Sequence, residues 1–226
     1  MSALPISAED RSLAARSAIV TLLDLASSSL DSLTRSASQL SLGRVRGTGP
    51  GVSFGELVSR IETAHPIEPV FPFEGSDRVG GAVWDCPALL DDPVVTAGIA
   101  KLRWLREARE LPLHLHPSDR FIVVMEGRGF FHWTAQSVTE FDGSGVQTIA
   151  ARSRDVFVFR RGLLHTFSTA DHPMTLLSVQ MPFIEFEDPR QYRLPAVRWS
   201  AGTQQRVTTP GITCHLHAPS ASIHLN

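Results

Sequence analysis

The stretch LPLHLHPSDRFIVVMEGRG, residues 111–129, decides how the chain is read, because it sets His114 and His116 one residue apart at the edge of an apolar run. Alternate residues of a β-strand point to one face, so the two imidazoles project into the same space and can share a metal ion. The same spacing also occurs on wet strand faces with no role, and a third ligand is needed to choose. SRDVFVFRRGLLHTFST, residues 153–169, supplies a candidate: a strand, a tight corner at Arg161-Gly162 and a second strand carrying His165.

The surroundings are β in texture. From about residue 68 onward Phe, Val, Thr and Trp fall in short runs broken by Gly, Pro and Asp. The predicted strands are 95–105, 111–116, 120–126, 130–135, 146–151, 155–160, 164–169 and 175–181. Gly127-Arg128-Gly129 reads as a joint between two of them, and Asp142-Gly143-Ser144-Gly145 as a hairpin closure. Eight short strands at this spacing predict a closed or sandwiched antiparallel barrel. There is no tandem repeat, P-loop or dinucleotide fingerprint.

Upstream, residues 1–44 are rich in Ala, Ser and Leu, with apolar positions at Ile19, Leu23, Ala26, Leu30, Leu33, Ala37 and Leu40. Steps of four and three place these on one helical face, which suits either a dimer seam or an arm laid on the main domain. The run Ser27-Ser28-Ser29 and the alanines in the stripe favour the packed arm. GRVRGTGPG, residues 43–51, reads as a linker. Ser53 followed by Glu56 has the form of a capping box before a short helix with Phe54, Leu57, Val58 and Ile61 on its apolar face.

Composition bounds the partners. The 226 residues, 42% hydrophobic, suffice for one sizeable core, and a net charge of -2 provides no basic field to draw nucleic acid or an anionic membrane. Two cysteines far apart, Cys86 and Cys214, argue against a disulfide framework and suit a reducing compartment, so a cytoplasmic location is expected. Charges at Glu9, Asp10, Arg11 and Arg16 interrupt any signal-peptide core, and no apolar run reaches the roughly 20 residues of a membrane span.

Taken together, residues 95–185 resemble the cupin superfamily. The family's first motif, G-x5-H-x-H-x3,4-E-x6-G, is met by His114, His116 and Gly127 within EGRG. Its second, G-x5-P-x-G-x2-H-x3-N, is met by Gly162 and His165 behind Asp155 and an apolar strand. The resemblance implies a mainly β protein, a jelly-roll barrel inside which His114, His116 and His165 converge as metal ligands. It also suggests a homodimer. The expected layout is a helical N-terminal arm (1–44), a linker and short helix (45–65), the barrel (66–200) and a C-terminal extension (201–226).

The departures from the motifs carry information. Ala108 and Arg154 replace glycines, Arg160 a proline and Thr169 an asparagine. Arg120 stands in the slot of the glutamate that in many cupins is a fourth ligand, and the adjacent Asp119 faces the other way unless a bulge shifts the register. A guanidinium cannot ligate a cation and is unfavourable near one, so something negative should neutralise it: a carboxylate of the barrel, or a substrate anion held by its fork. A third possibility is that the metal site has been lost.

Three neutral imidazoles leave a metal its full charge and open coordination positions. The resemblance implies one divalent metal ion, and because three-histidine iron sites occur in cupin dioxygenases it puts Fe2+ first, with Zn2+, Ni2+ or Mn2+ as alternatives. The leading function is an Fe(II) dioxygenase acting on a small anionic organic substrate oriented by Arg120. The alternatives are a non-catalytic small-molecule sensor working through the N-terminal helices, and a metal-dependent isomerase or lyase. Of His132 and Trp133, one must face inward, and an inward His132 is the candidate acid–base group. Phe167 and Gln180 are candidate lining residues. Tyr192, in FEDPRQYRLP, is expected over the barrel mouth without an assigned role. The CHLH segment (214–217), His224, His65 and His172 are read as solvated or loosely held.

Overall fold

The structure is a computed structural model that describes residues 8–30, 39–46, 52–64, 68–69, 79–84, 98–184, 188–202, 204–209 and 212–216. Its elements in chain order are α1 (Ala8–Leu30), β1 (Leu40–Arg44), α2 (Phe54–Ala64), β2 (Glu68–Pro69), β3 (Val79–Trp84), β4 (Gly98–Trp104), β5 (Asp119–Thr134), β6 (Gln147–Arg152), β7 (Asp155–Phe159), β8 (Leu164–Ser168), β9 (Met174–Met181), β10 (Gln204–Thr209) and β11 (Ile212–Leu216).

Every pairing among these strands is antiparallel, and the main sheet runs β1-β7-β5-β9-β4-β3-β2, with β6 and β8 joined to β5. The long β5 serves two sheets. Its first half pairs with β7 and β9, and its second half with β6 and β8. This is the expected jelly-roll barrel, with one difference. The EGRG segment is not a turn between two strands but a bend inside one, made by a register shift between Val124 and Glu126 and by Gly127 at φ 77°. A bulge redirects a strand without ending it, and the local sequence signal of a bulge and of a turn is the same pair of glycines.

Side-chain alternation partitions the core. Ile122, Val124, Phe131, Trp133, Phe157, Phe159, Phe167 and Leu176 fill the barrel interior. The intervening Val123, Met125, Val156, Leu177 and Val179, with Ile99 of β4, form the outer face, which α1 and α2 cover. The helices attach there because their stripes are apolar: Ala15, Ala18, Ile19, Leu22 and Ala26 of α1 are buried, as are Phe54, Leu57, Val58 and Ile61 of α2. The expected cap is present, with the Glu56 amide donating to Ser53 Oγ at 3.1 Å. Lys101, fully buried on that outer face, donates to Glu62 of α2 through both its backbone carbonyl (3.3 Å) and its carboxylate (3.5 Å).

The arm is thus packed over its described residues, as the serine run suggested, but its last expected stripe position is not helical. α1 ends at Leu30, Leu33 and Ala37 lie outside the described residues, and Leu40, read as the last position of a helical stripe, begins a strand instead. β1 pairs with β7 from Leu40↔Phe159 to Arg44↔Asp155, and Val45, placed in the linker by composition, is buried beyond it. A long-range ladder has overridden local helical periodicity. The stretch Leu13–Leu30 has a mean hydropathy of 1.3, enough by length and composition alone to cross a membrane, while its apolar stripe is occupied by contacts with α2 and the barrel.

The bend in β5 predicts the cost of a single methyl group. A Cβ at Gly127 would lie 2.0 Å from the Pro173 carbonyl oxygen, whereas at Gly162, also at positive φ (85°), it would meet nothing within 4 Å. Gly162→Ala should therefore cost only the left-handed backbone penalty of about 1 kcal/mol, and Gly127→Ala at least about 3 kcal/mol, in urea denaturation. Equal losses would contradict this reading.

Candidate metal centre

Two of the three histidines are fixed by the ladder itself. His114 and His165 form an isolated antiparallel bridge, each backbone N–H donating to the other's carbonyl (3.1 and 2.9 Å). His116, two residues on, shares the face of His114, and its carbonyl accepts from Gly162 N at 3.0 Å, so the glycine corner holds the second motif against the first. The ring centroids stand 4.8, 4.8 and 5.2 Å apart. Phe159 lies 4.2 Å from the His165 ring.

Each ring has its Nδ1 at a backbone carbonyl: His114 on Pro112 (2.9 Å), His116 on Gln191 (2.8 Å) and His165 on Leu163 (2.9 Å). A carbonyl can only accept, so Nδ1 carries the proton and Nε2 carries the lone pair in all three. Burial supplies the same answer energetically. It pulls the His114 pKa down to about 4, the Pro112 carbonyl opposing and Arg120 adding to the shift. His116 and His165 are held well below the ordinary range, first by burial and then by neighbouring charges. The ligand atoms all lie within 4.8 Å of one another. Metal–imidazole bonds of about 2.0–2.1 Å allow two ligand atoms on one ion to be no more than about 4.2 Å apart, so the rings must draw closer to close the set. Three buried neutral imidazoles with oriented lone pairs fit a divalent ion, and these residues can hold one.

Arg120 is buried at 5% exposure and lies on the same strand face as Ile122 and Val124, toward the interior. Its charge depresses the His116 and His165 pKa values, which places it in the same pocket. Burial lowers its own pKa to about 10 with Tyr192 opposing, so it stays cationic at neutral pH. Its Nε and Nη2 are both buried without a hydrogen-bond partner, and no carboxylate pairs with it among the described residues. Asp119 faces the other way, as alternation requires, and binds Arg160 (3.0 Å) and Arg161 (backbone 2.8 Å, Nε 3.2 Å).

Tyr192 belongs to the centre, which its position beyond the last barrel strand did not reveal. The segment 188–202 returns across the histidines, bridging Leu115 to Arg193, and puts the Tyr192 ring 5.5 Å from His114 and 5.0 Å from His116. Burial raises its pKa, against Arg120, so it stays a phenol. Gln180, the cross-strand neighbour of Arg120, is buried on the same inner face and bonds to Gln191 and Ile184.

His132 does not join them. Trp133 is the residue paired with His165 and faces inward, while His132 pairs with Thr166 on the opposite face. There its ring lies between Thr148 Oγ1 (2.8 Å) and Ser168 Oγ (2.7 Å), 5.1 Å from the Trp199 ring. The acid–base role expected for an inward His132 is therefore withdrawn. Phe167 lines the interior as expected, 4.9 Å from Phe131. The substituted motif positions are accommodated locally: Arg154 adopts φ 80° in place of a glycine, and Thr169 Oγ1 accepts from Ala108 N at 3.1 Å. His172 is half exposed beside Asp171. Residues 214–216 of CHLH lie in or at the β10–β11 hairpin, and His65, His217 and His224 lie outside the described residues.

The antiparallel barrel and the clustered His114, His116 and His165 agree with the arrangement that the resemblance of the two motifs to the cupins implies. No family model and no curated protein matches the chain. Solved structures similar to it include the polyketide cyclase RemF from Streptomyces resistomycificus (20% identity, 57% of this chain and 86% of that one, TM-score 0.42). A cupin-like protein from Thermotoga maritima shares 15% identity over 46% of this chain and 68% of its own, at TM-score 0.36. Salicylate 1,2-dioxygenase from Pseudoaminobacter salicylatoxidans, in complex with gentisate, shares 13% over 46% of this chain and 25% of its own, also at 0.36. Such similarities say nothing of this chain's reaction.

The buried histidines make a pH prediction. His114 and His132 have folded pKa values of about 4 against 6.5 for the ordinary group, and His116 and His165 are also lowered. The unfolded chain therefore takes up protons first as pH falls. Stability present above pH 6.5 is lost below it, at about 1.4 kcal/mol per pH unit for each group. Urea midpoints of metal-free protein should drop steeply between pH 6.5 and 4, and His132→Gln should flatten the slope by one proton. A pH-independent midpoint would contradict the neutral assignment.

Proposed function

We propose that the chain is a metal-dependent cupin enzyme acting on a small organic anion, with Fe(II)-dependent dioxygenation as its chemistry. The observation that carries this reading is the Arg120 guanidinium buried beside three neutral histidines with its Nε and Nη2 lacking a hydrogen-bond partner. Nε and Nη2 form the side-on fork of arginine, the two donors that lie parallel and meet both oxygens of one carboxylate. Leaving two donors of a buried cation unsatisfied is costly, and an anionic ligand removes the cost.

A metal ion held by His114, His116 and His165 would supply a Lewis acid, and as Fe(II) a redox centre for dioxygen. The chain's own residues do the rest. Arg120 binds and orients the anionic group. Phe159 and Phe131 give the substrate body an apolar wall and keep water from the histidines. Tyr192 covers the opposite side and offers a phenolic donor. The sensor alternative was motivated by an unassigned apolar stripe on α1, and packing against α2 and the barrel accounts for that stripe.

Fe(II)-loaded protein should consume oxygen with a member of a panel of small aromatic, keto and thiol carboxylic acids. Arg120→Met should lower kcat/KM roughly 100-fold, the about 3 kcal/mol of two charge-assisted hydrogen bonds, and leave metal content unchanged. Arg120→Lys should not restore it, since the fork is lost. Binding of acid and metal with no oxygen uptake would reject dioxygenation and leave isomerase or lyase chemistry at the same site.

A further inference from the structure

The three ligands are oriented by different means. His114 and His165 each use the carbonyl two residues earlier in their own chain segment, Pro112 and Leu163, so the local backbone aims them. His116 has no such local partner. Its Nδ1 reaches Gln191 O, 75 residues away, on a segment that is not part of any strand. The direction of the third ligand is therefore only as well fixed as that carbonyl.

What fixes the carbonyl is the Gln191 side chain, which is fully buried. Its Nε2 donates to Gln180 Oε1 (3.0 Å) and to Ile184 O (3.3 Å), and Gln180 Nε2 donates to the same Ile184 carbonyl at 2.7 Å. The Gln191 backbone N–H closes a turn on Asp188 O at 2.8 Å. The amide pair thus anchors the crossing segment to the inner face of β9 one residue before Tyr192. It also uses one lone pair of Gln180 Oε1, an acceptor carried by the cross-strand neighbour of Arg120. Gln191 Oε1 is buried without a partner among the described residues, a cost that stability alone does not explain.

We propose that Gln191 is a positioning residue: its amide, locked to Gln180 and Ile184, holds the carbonyl that aims His116 Nε2 at the metal. The proposal rests on the metal-binding reading. Groups that orient a ligand through its second nitrogen typically govern metal affinity by 10- to 100-fold.

Zn(II) and Co(II) affinities are measured by chelator competition, with the Co(II) d–d spectrum, for the full chain and for Gln191→Met, Gln180→Met, the double variant and Val197→Ala. Val197 is buried in the same crossing segment and packs in a separate apolar cluster with Leu113, Phe141, Leu164 and Trp199. Gln191→Met should weaken both metals about 10-fold or more and shift the spectrum, Gln180→Met should act in the same direction, and the double variant should lose no more than Gln191→Met alone. Val197→Ala should bind and absorb like the native chain. Native-like affinity and spectrum in Gln191→Met overturn the proposal, as does an equal loss in Val197→Ala, which would mean that segment packing alone matters. Should Gln191→Met not fold, native-like binding by Gln180→Met overturns it. A native chain that binds neither metal removes the metal reading and this inference with it, an outcome distinct from failure of the inference alone.

Discussion

The fold hangs on the bend within β5. A strand of 16 residues belongs to two sheets only if it can change direction without losing its ladder, and the register shift at Val124–Glu126 with Gly127 at positive φ makes this possible. Before the bend the strand carries Arg120, and after it Phe131 and Trp133, all facing inward. The bend therefore brings the cation of one sheet and the aromatic wall of the other around the same interior, where the corner at Gly162 delivers His165. The helices add stability from outside, on a face separated from the site by the sheet.

Within that interior the electrostatics are one-sided. Three imidazoles are kept neutral by burial and tied at Nδ1 to carbonyls, and the charged group beside them is positive. A divalent ion at the histidines adds further positive charge in a medium where charges are poorly screened. On the proposed reading, Arg120, in the slot that the first motif gives to glutamate, moves the negative charge that such a centre needs from the protein to its ligand. Tyr192 stays a phenol in this environment, so the protein itself places no anion there among the described residues.

Much of this was legible in the residues. H-x-H, the glycine corner and His165 located the histidine cluster, and strand parity correctly turned Arg120, Gln180 and Phe167 inward and Asp119 outward. Parity alone could not choose between His132 and Trp133, because both follow a bend whose extra residue is invisible locally. Leu40 matched the helical stripe yet belongs to a strand, since its partner Phe159 lies far along the chain. Tyr192 and Gln191 were least legible. They sit in a segment with no periodicity, placed by the backbone bridge between Leu115 and Arg193, by the His116 ring on the Gln191 carbonyl and by a buried amide pair that no spacing announces.

The central claim is that His114, His116 and His165 hold one metal ion, and elemental mass spectrometry of protein purified anaerobically, beside the His165→Ala variant, tests it most directly. The account predicts close to one equivalent of a divalent transition metal in the native chain and its loss in the variant. Equal metal in both, or none in either after reconstitution with Fe(II), Zn(II) or Ni(II), would contradict it.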